Sequence, residues 1–127
     1  MFKKEKVVIF GSGSYGRIIY ERLNHYFEFT CFIDNDPNKH IYKIKNLNIY
    51  PPDILRTMDY DFIIIASSYE NEIISQLNRI GIDSNKVKSA SEFKLESYFP
   101  WNSILLLISI ITVIFFLISA IFYNILH

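Results

Sequence analysis

Three runs along the first half of the chain are apolar with no polar alternation: Val7-Val8-Ile9-Phe10, Phe29 to Ile33 broken only by Thr30, and Phe62-Ile63-Ile64-Ile65-Ala66. A strand with one face in water alternates, whereas a strand covered on both faces reads as a continuous run, so these segments predict fully buried strands at Lys6–Phe10, Phe29–Ile33 and Asp61–Ala66. Weaker short strands fall at Asn48–Tyr50 and Lys86–Ser89. Between the runs the spacing changes to that of a helix. Tyr15 to Asn24 carries Ile18, Ile19 and Leu23, with Ser14 as a capping residue, and Glu70 to Ile80 carries Ile73, Ile74, Leu77 and Ile80 on one side, with Gly81 as a stop. Pro51-Pro52 opens a short helix reaching Met58, and Asp34-Asn35-Asp36-Pro37 is a dense turn. Alternating strands and helices predict an α/β fold, a small parallel sheet of about five strands with right-handed crossovers and helices on both faces.

The end of the chain has a different character. Ser103 to Leu126 contains no charged residue, and its apolar positions run round the whole circumference of a helix. Its 24 residues would span about 36 Å, enough for a hydrocarbon core of about 30 Å. One C-terminal transmembrane helix is therefore expected over 103–126. Pro100 and Trp101 stand at its start and Tyr123 near its end, where interfacial anchors belong. The predicted organisation is a folded domain over 1–92, a linker over 93–102 and the span over 103–126.

Charge fixes the orientation of that span. The thirteen Lys and Arg balance thirteen Asp and Glu, and none of them lies beyond Glu96. Lys86, Lys88 and Lys94 precede the span and no cation follows it, so the positive-inside rule predicts a single-pass protein of the inner or plasma membrane with its N-terminal domain in the cytoplasm. The balanced charge argues against nucleic acid as a partner. Only four apolar residues separate Lys6 from Gly11, too few for a secretory leader. Cys31 is the one cysteine, which excludes an internal disulfide and fits a reducing compartment or a thiol packed as a small hydrophobe in a strand.

Chemistry enters with Gly11-Ser12-Gly13-Ser14-Tyr15-Gly16, a G-x-G-x-x-G run between a strand and a helix. Gly11 suits a tight turn, Gly13 a close approach of backbone to a pyrophosphate, and Gly16 close packing of helix on strand. Free N–H groups at the helix start face the anion. Asp34 follows Gly11 by 23 residues, at the end of the second strand, where a carboxylate accepts from ribose hydroxyls. The order strand, glycines, helix and acid is that of a Rossmann-like nucleotide-binding unit. Its expected ligand-contacting residues are Gly11, Ser12, Gly13, Ser14, Tyr15 and Gly16, then Asp34 and Asn35, then Ala66, Ser67 and Ser68 from the loop after the third long strand. Asp34 without an adjacent Arg suggests an unphosphorylated ribose, an inference that the nearby Lys39 weakens.

The runs Val7 to Gly16, Phe32-Ile33-Asp34-Asn35-Asp36, Asp61 to Ser67 and Gln76 to Ile82 resemble the Rossmann-like module that precedes the catalytic part of nucleoside-diphosphate-sugar epimerases and dehydratases, and of sugar acyltransferases, in surface-polysaccharide synthesis. The resemblance implies that the glycine loop and Asp34 meet a nucleotide or nucleotide-sugar. The catalytic features of such enzymes are missing from this sequence. None of the nine tyrosines has lysine four residues on, the pairing that lets tyrosine exchange a proton during hydride transfer. No acyltransferase repeat, metal-ligand spacing or nucleophile elbow is present either. No catalytic residue and no metal ligand is therefore assigned.

The expectation is a membrane-anchored module binding NAD(H) or a nucleotide-sugar, accessory to polysaccharide-synthesis enzymes and without a complete catalytic site. The alternatives are an NAD(H)-sensing regulatory domain, or a sugar-nucleotide epimerase or dehydratase reduced to its first half.

Overall fold

In the computed structural model Val7, Val8, Ile9 and Phe10 are all buried, which makes their strand, β1 (Lys6–Phe10), the interior of a sheet. Residues 3–94 and 101–127 are described, and the chain divides into two compact units, Met1–Leu95 and Glu96–His127. In the first unit β1 is joined by β2 (Glu28–Ile33), β3 (Lys43–Ile44), β4 (Leu47–Tyr50), β5 (Phe62–Ile65) and β6 (Val87–Ser89). Their order across the sheet is β3-β4-β2-β1-β5-β6, and every pairing is parallel except β3 with β4. The architecture is the α/β one that the apolar runs predict.

Successive residues of a strand point to opposite faces, and the central strands therefore feed two separate cores. Val7, Ile9, Phe32, Phe62 and Ile64 pack on one face against Ile19 and Leu23 of α1 (Ser14–Leu23). Val8, Phe10, Cys31, Ile33, Ile63 and Ile65 pack on the other against Ile73 and Leu77 of α2 (Glu70–Arg79). α1 connects β1 to β2, and α2 connects β5 to β6. The chain thus leaves the tips of β1 and β5 in opposite directions along the sheet. A crevice opens between those tips, where open α/β sheets hold their ligands.

Several local features depart from the sequence pattern. β3 and β4 form a hairpin whose two turn residues, Lys45 and Asn46, both have positive φ, +50° and +66°. That is the primed turn demanded by strand twist, built here without the usual glycine. It adds an antiparallel sixth strand at the edge of an otherwise parallel sheet. Ser14 is not a cap but the first residue of α1, because Gly13 takes the capping position and makes no side-chain bond there. The segment after Pro51 forms a short 3₁₀ turn, Pro52–Arg56, rather than a helix to Met58, with Leu55 buried in the second core.

α2 ends as its glycine foretells. Gly81 has φ +85°, its N–H donates to the Asn78 carbonyl at 3.1 Å, and the Ile82 N–H donates to the Leu77 carbonyl at 3.0 Å. These are the paired bonds of a Schellman stop, and Ile82 packs against the second core as that motif requires.

In the second unit α3 (Trp101–Leu126) is long and apolar enough to cross a membrane, starting two residues before the run read from the sequence. Thr112 donates its hydroxyl to the Ser109 carbonyl at 2.8 Å and Ser119 to the Phe115 carbonyl at 2.9 Å. Both hydroxyls are thereby satisfied within the helix, which suits a hydrocarbon environment. Pro100 and most of the expected linker lie outside the described residues.

Candidate functional site

The loop after β1 turns sharply at Gly11, whose φ is +119° and whose N–H donates to the Ile33 carbonyl at 2.8 Å. A Cβ at Gly11 would overlap the Ala66 carbonyl, and one at Gly16 would overlap the Gly11 carbonyl. Both glycines are thus demanded by the meeting of β1, the loop after β5 and α1. Gly13 is different. Its φ of −78° is open to any residue, and a Cβ there would meet nothing within 4 Å. Neither steric crowding nor backbone strain requires glycine at this position, the N-cap of α1. The start of α1 beside it has neither a side-chain cap nor an acidic residue in its first turn.

Asp34 leads out of β2 and faces this loop. Its Oδ2 accepts from Ser12 Oγ at 2.5 Å, Ser12 N–H at 3.1 Å and Lys39 Nζ at 3.3 Å, while Oδ1 accepts from the Asp36 N–H at 2.9 Å. A carboxylate has about four acceptor positions, so the internal donors nearly fill them. Partial burial pushes the Asp34 carboxyl up, and the bonds from Ser12, Asp36 and Lys39 more than reverse this, holding its pKa below the ordinary carboxylate value. His40 Nε2 lies 2.7 Å from the Asp34 carbonyl and fixes the turn from below.

A cavity of about 330 Å³ lies beyond the strand tips on the α2 side. Phe10 and Ile73 form apolar walls, Gly11, Asp34 and Asn35 come from the β1 and β2 ends, and Ser67, Tyr69, Glu72 and Gln76 come from the β5 loop and α2. The cavity therefore gathers Gly11, Asp34, Asn35 and Ser67 of the residues expected from the sequence.

The remaining expected residues are placed differently. Ser12 is buried at 4% exposure and bonded to Asp34. Gly13, Ser14, Tyr15 and Ser68 are exposed outside the cavity lining, whereas Gly16 and Ala66 are buried in the packing between loop and helix. Ser67 accepts from the Tyr69 N–H at 3.1 Å, a turn-stabilising bond. Sequence reasoning missed Phe10, Tyr69, Glu72, Ile73 and Gln76. Glu72 and Gln76 are four residues apart on one face of α2, a spacing that brings them together but does not by itself distinguish them from the polar residues of any solvated helix face.

A model of the N-terminal domain of C2185-like proteins matches residues 3–88. The chain belongs to this C2185-like family. No curated protein sequence matches it. The C2185-like domain is similar to the UDP-D-quinovosamine 4-dehydrogenase from Vibrio fischeri, with 26% identity and a TM-score of 0.55 over 68% of this chain and 78% of that structure. It also shares its fold with a Rex-family repressor, at 16% identity and a TM-score of 0.56 over 84% of this chain and 63% of the repressor. The repressor solved with β-NADH gives 15% identity and a TM-score of 0.53 over 84% of this chain and 64% of that one. The chain thus spans less than two thirds of the repressor. These neighbours establish a Rossmann-type fold for the C2185-like domain.

Proposed function

We propose that this chain is a membrane-tethered module that holds a nucleotide, NAD(H) or a nucleotide-sugar, against the glycine loop. The observation that carries the reading is Gly13. Glycine stands at the N-cap of α1, where backbone geometry and neighbouring space would equally admit a serine or aspartate with a better capping side chain, and this choice supports a ligand-facing reason for it: the close approach of a ligand's phosphates. Backbone N–H groups of Gly13, Ser14 and Tyr15 at the uncapped start of α1 supply donors for the anion. Asp34 supplies an acceptor for ribose, with Ser12 and Lys39 giving way as it binds.

By this reading the chain alone binds without turnover, since its sequence has no tyrosine–lysine pair and no nucleophilic constellation. Residues 1–92 form the binding domain, 93–102 the linker and 103–126 the membrane span, with the domain on the cytoplasmic side. The likeness to a UDP-sugar dehydrogenase supports a role beside enzymes of surface-glycan synthesis. A second reading, an NAD(H) sensor, is favoured by the fold shared with a repressor solved with β-NADH. Operator DNA, which that repressor binds, is a poor partner for a chain with balanced charge.

The test is thermal unfolding of the full chain in detergent micelles with NAD(H), UDP-sugars or other nucleotides. A ligand at about 100 times its Kd adds about 2.7 kcal/mol, which raises the Tm of a domain this size by about 10 °C or more. Gly13→Val abolishes the shift. Absence of any shift at millimolar nucleotide would remove the proposal. A reporter fused after His127 reads the topology, and a cytoplasmic signal would reverse the orientation.

A further inference from the structure

We infer that the cavity beside the glycine loop selects a base carrying an amino group next to a ring nitrogen, as in adenine or cytosine, over the oxo bases of inosine and uridine. The inference rests on the nucleotide reading above and names the class of base that the site takes.

Asn35, just past β2, and Gln76, on α2, are 41 residues apart in sequence and bonded to each other twice. Asn35 Nδ2 donates to Gln76 Oε1 at 2.9 Å, and Gln76 Nε2 donates to Asn35 Oδ1 at 2.8 Å. Both line the cavity, so this amide clasp forms part of its wall. An amide presents one acceptor beside one donor. That pair complements an amino group beside a ring nitrogen, and a base entering at the clasp exchanges amide–amide bonds for amide–base bonds of the same kind.

An amide alone does not choose between adenine and uracil, because uracil also offers a donor next to an acceptor. Glu72 supplies the choice. It lines the same cavity one turn before Gln76, and among the described residues it takes part in no ion pair. Its carboxylate accepts only, so it favours an amino group and repels the carbonyl oxygen of an oxo base. Phe10 and Ile73 give a flat base apolar walls, and Tyr69, 68% exposed at the rim, offers a ring to lie over it.

The experiment compares AMP, IMP, CMP, UMP and inorganic pyrophosphate as titrants of the full chain in detergent micelles. AMP and IMP differ only on one edge of the base, amino beside an accepting N1 in AMP and oxo beside a donating N1–H in IMP. The expected result is that AMP or CMP binds at least about fivefold more tightly than its oxo counterpart. Glu72→Gln, an exposed helix position with a good helix former, reduces that ratio towards one. Gln76→Leu lowers affinity for AMP and leaves pyrophosphate unchanged. The relative order of AMP and CMP tells whether the pocket accepts a purine or a pyrimidine. Equal binding of all four nucleotides, or an unchanged ratio in Glu72→Gln, would overturn the base assignment while leaving nucleotide binding standing. Failure of every nucleotide and of pyrophosphate to bind would take the parent reading down with it.

Discussion

Gly13 is the N-cap of α1 and Gly16 lies in its first turn, three residues on, and the structure assigns them opposite consequences when replaced. At Gly16 a methyl group runs into the Gly11 carbonyl, which is backbone and cannot swing away. α1 must then lift from β1, an overpacking cost of about 1–3 kcal/mol. In a unit of this size that lowers Tm by about 4–24 °C. At Gly13 the added atom enters open space at an ordinary φ, and the position is the N-cap of α1. Gly13→Ser therefore places a better cap and restricts the unfolded chain, a gain of about 0.5–1 kcal/mol. The expected Tm rise is about 2–8 °C. Differential scanning calorimetry of the two variants in the same detergent measures both changes, and a nucleotide titration on Gly13→Ser should show weakened binding despite the higher melting point. A Gly13→Ser protein that melts as low as Gly16→Ala would refute the separation of structural from ligand-facing glycine. Undiminished nucleotide binding by Gly13→Ser would move the ligand away from this loop.

Other outcomes follow from the same geometry. Asp34 has a folded-state pKa below its unfolded value of about 3.9, so its stabilisation is complete above about pH 5 and is lost as acid titrates it through and below pH 4. Asp34→Asn should be less stable than the parent at pH 7 by about 1–3 kcal/mol, with the gap closing in urea melts at pH 3; a gap that widens in acid would contradict this. Gly81→Ala meets no steric obstacle, so its cost should be that of the left-handed backbone alone, about 1–2 kcal/mol. Urea unfolding should show a lower midpoint with an unchanged slope, and no loss would refute the strain. Burial pushes the Cys31 thiol up to about 11, and it should react with a thiol reagent at pH 8 only as fast as the chain opens. Prompt stoichiometric labelling of the native protein would refute its burial.

The central sheet was legible because its strands are covered on both faces, and a covered strand has to be apolar throughout. The edge hairpin was not. β3 is two residues long, and its turn uses Lys45 and Asn46 where the recognisable sequence signal has glycine. The glycine loop and Asp34 were legible because close backbone approach constrains residue type. The α2 side of the cavity was hidden for the converse reason: Glu72 and Gln76 are ordinary residues for the solvated face of an amphipathic helix, and only the fold brings them opposite Asn35. Ser14 misled because serine is a good cap, yet the turn at Gly11 delivers the chain to the helix one residue sooner.

The bonds that Ser12, Asp36 and Lys39 make to Asp34 bear on what the site rejects. Strong discrimination against an analogue missing a hydroxyl arises when the protein's polar group is stranded without a partner. Here the carboxylate already has its donors, and they can return when a ribose hydroxyl is absent. A deoxyribose sugar leaves nothing unsatisfied. On the nucleotide reading proposed above, the site should therefore tolerate deoxynucleotides with little loss, leaving its discrimination to the base rather than the sugar.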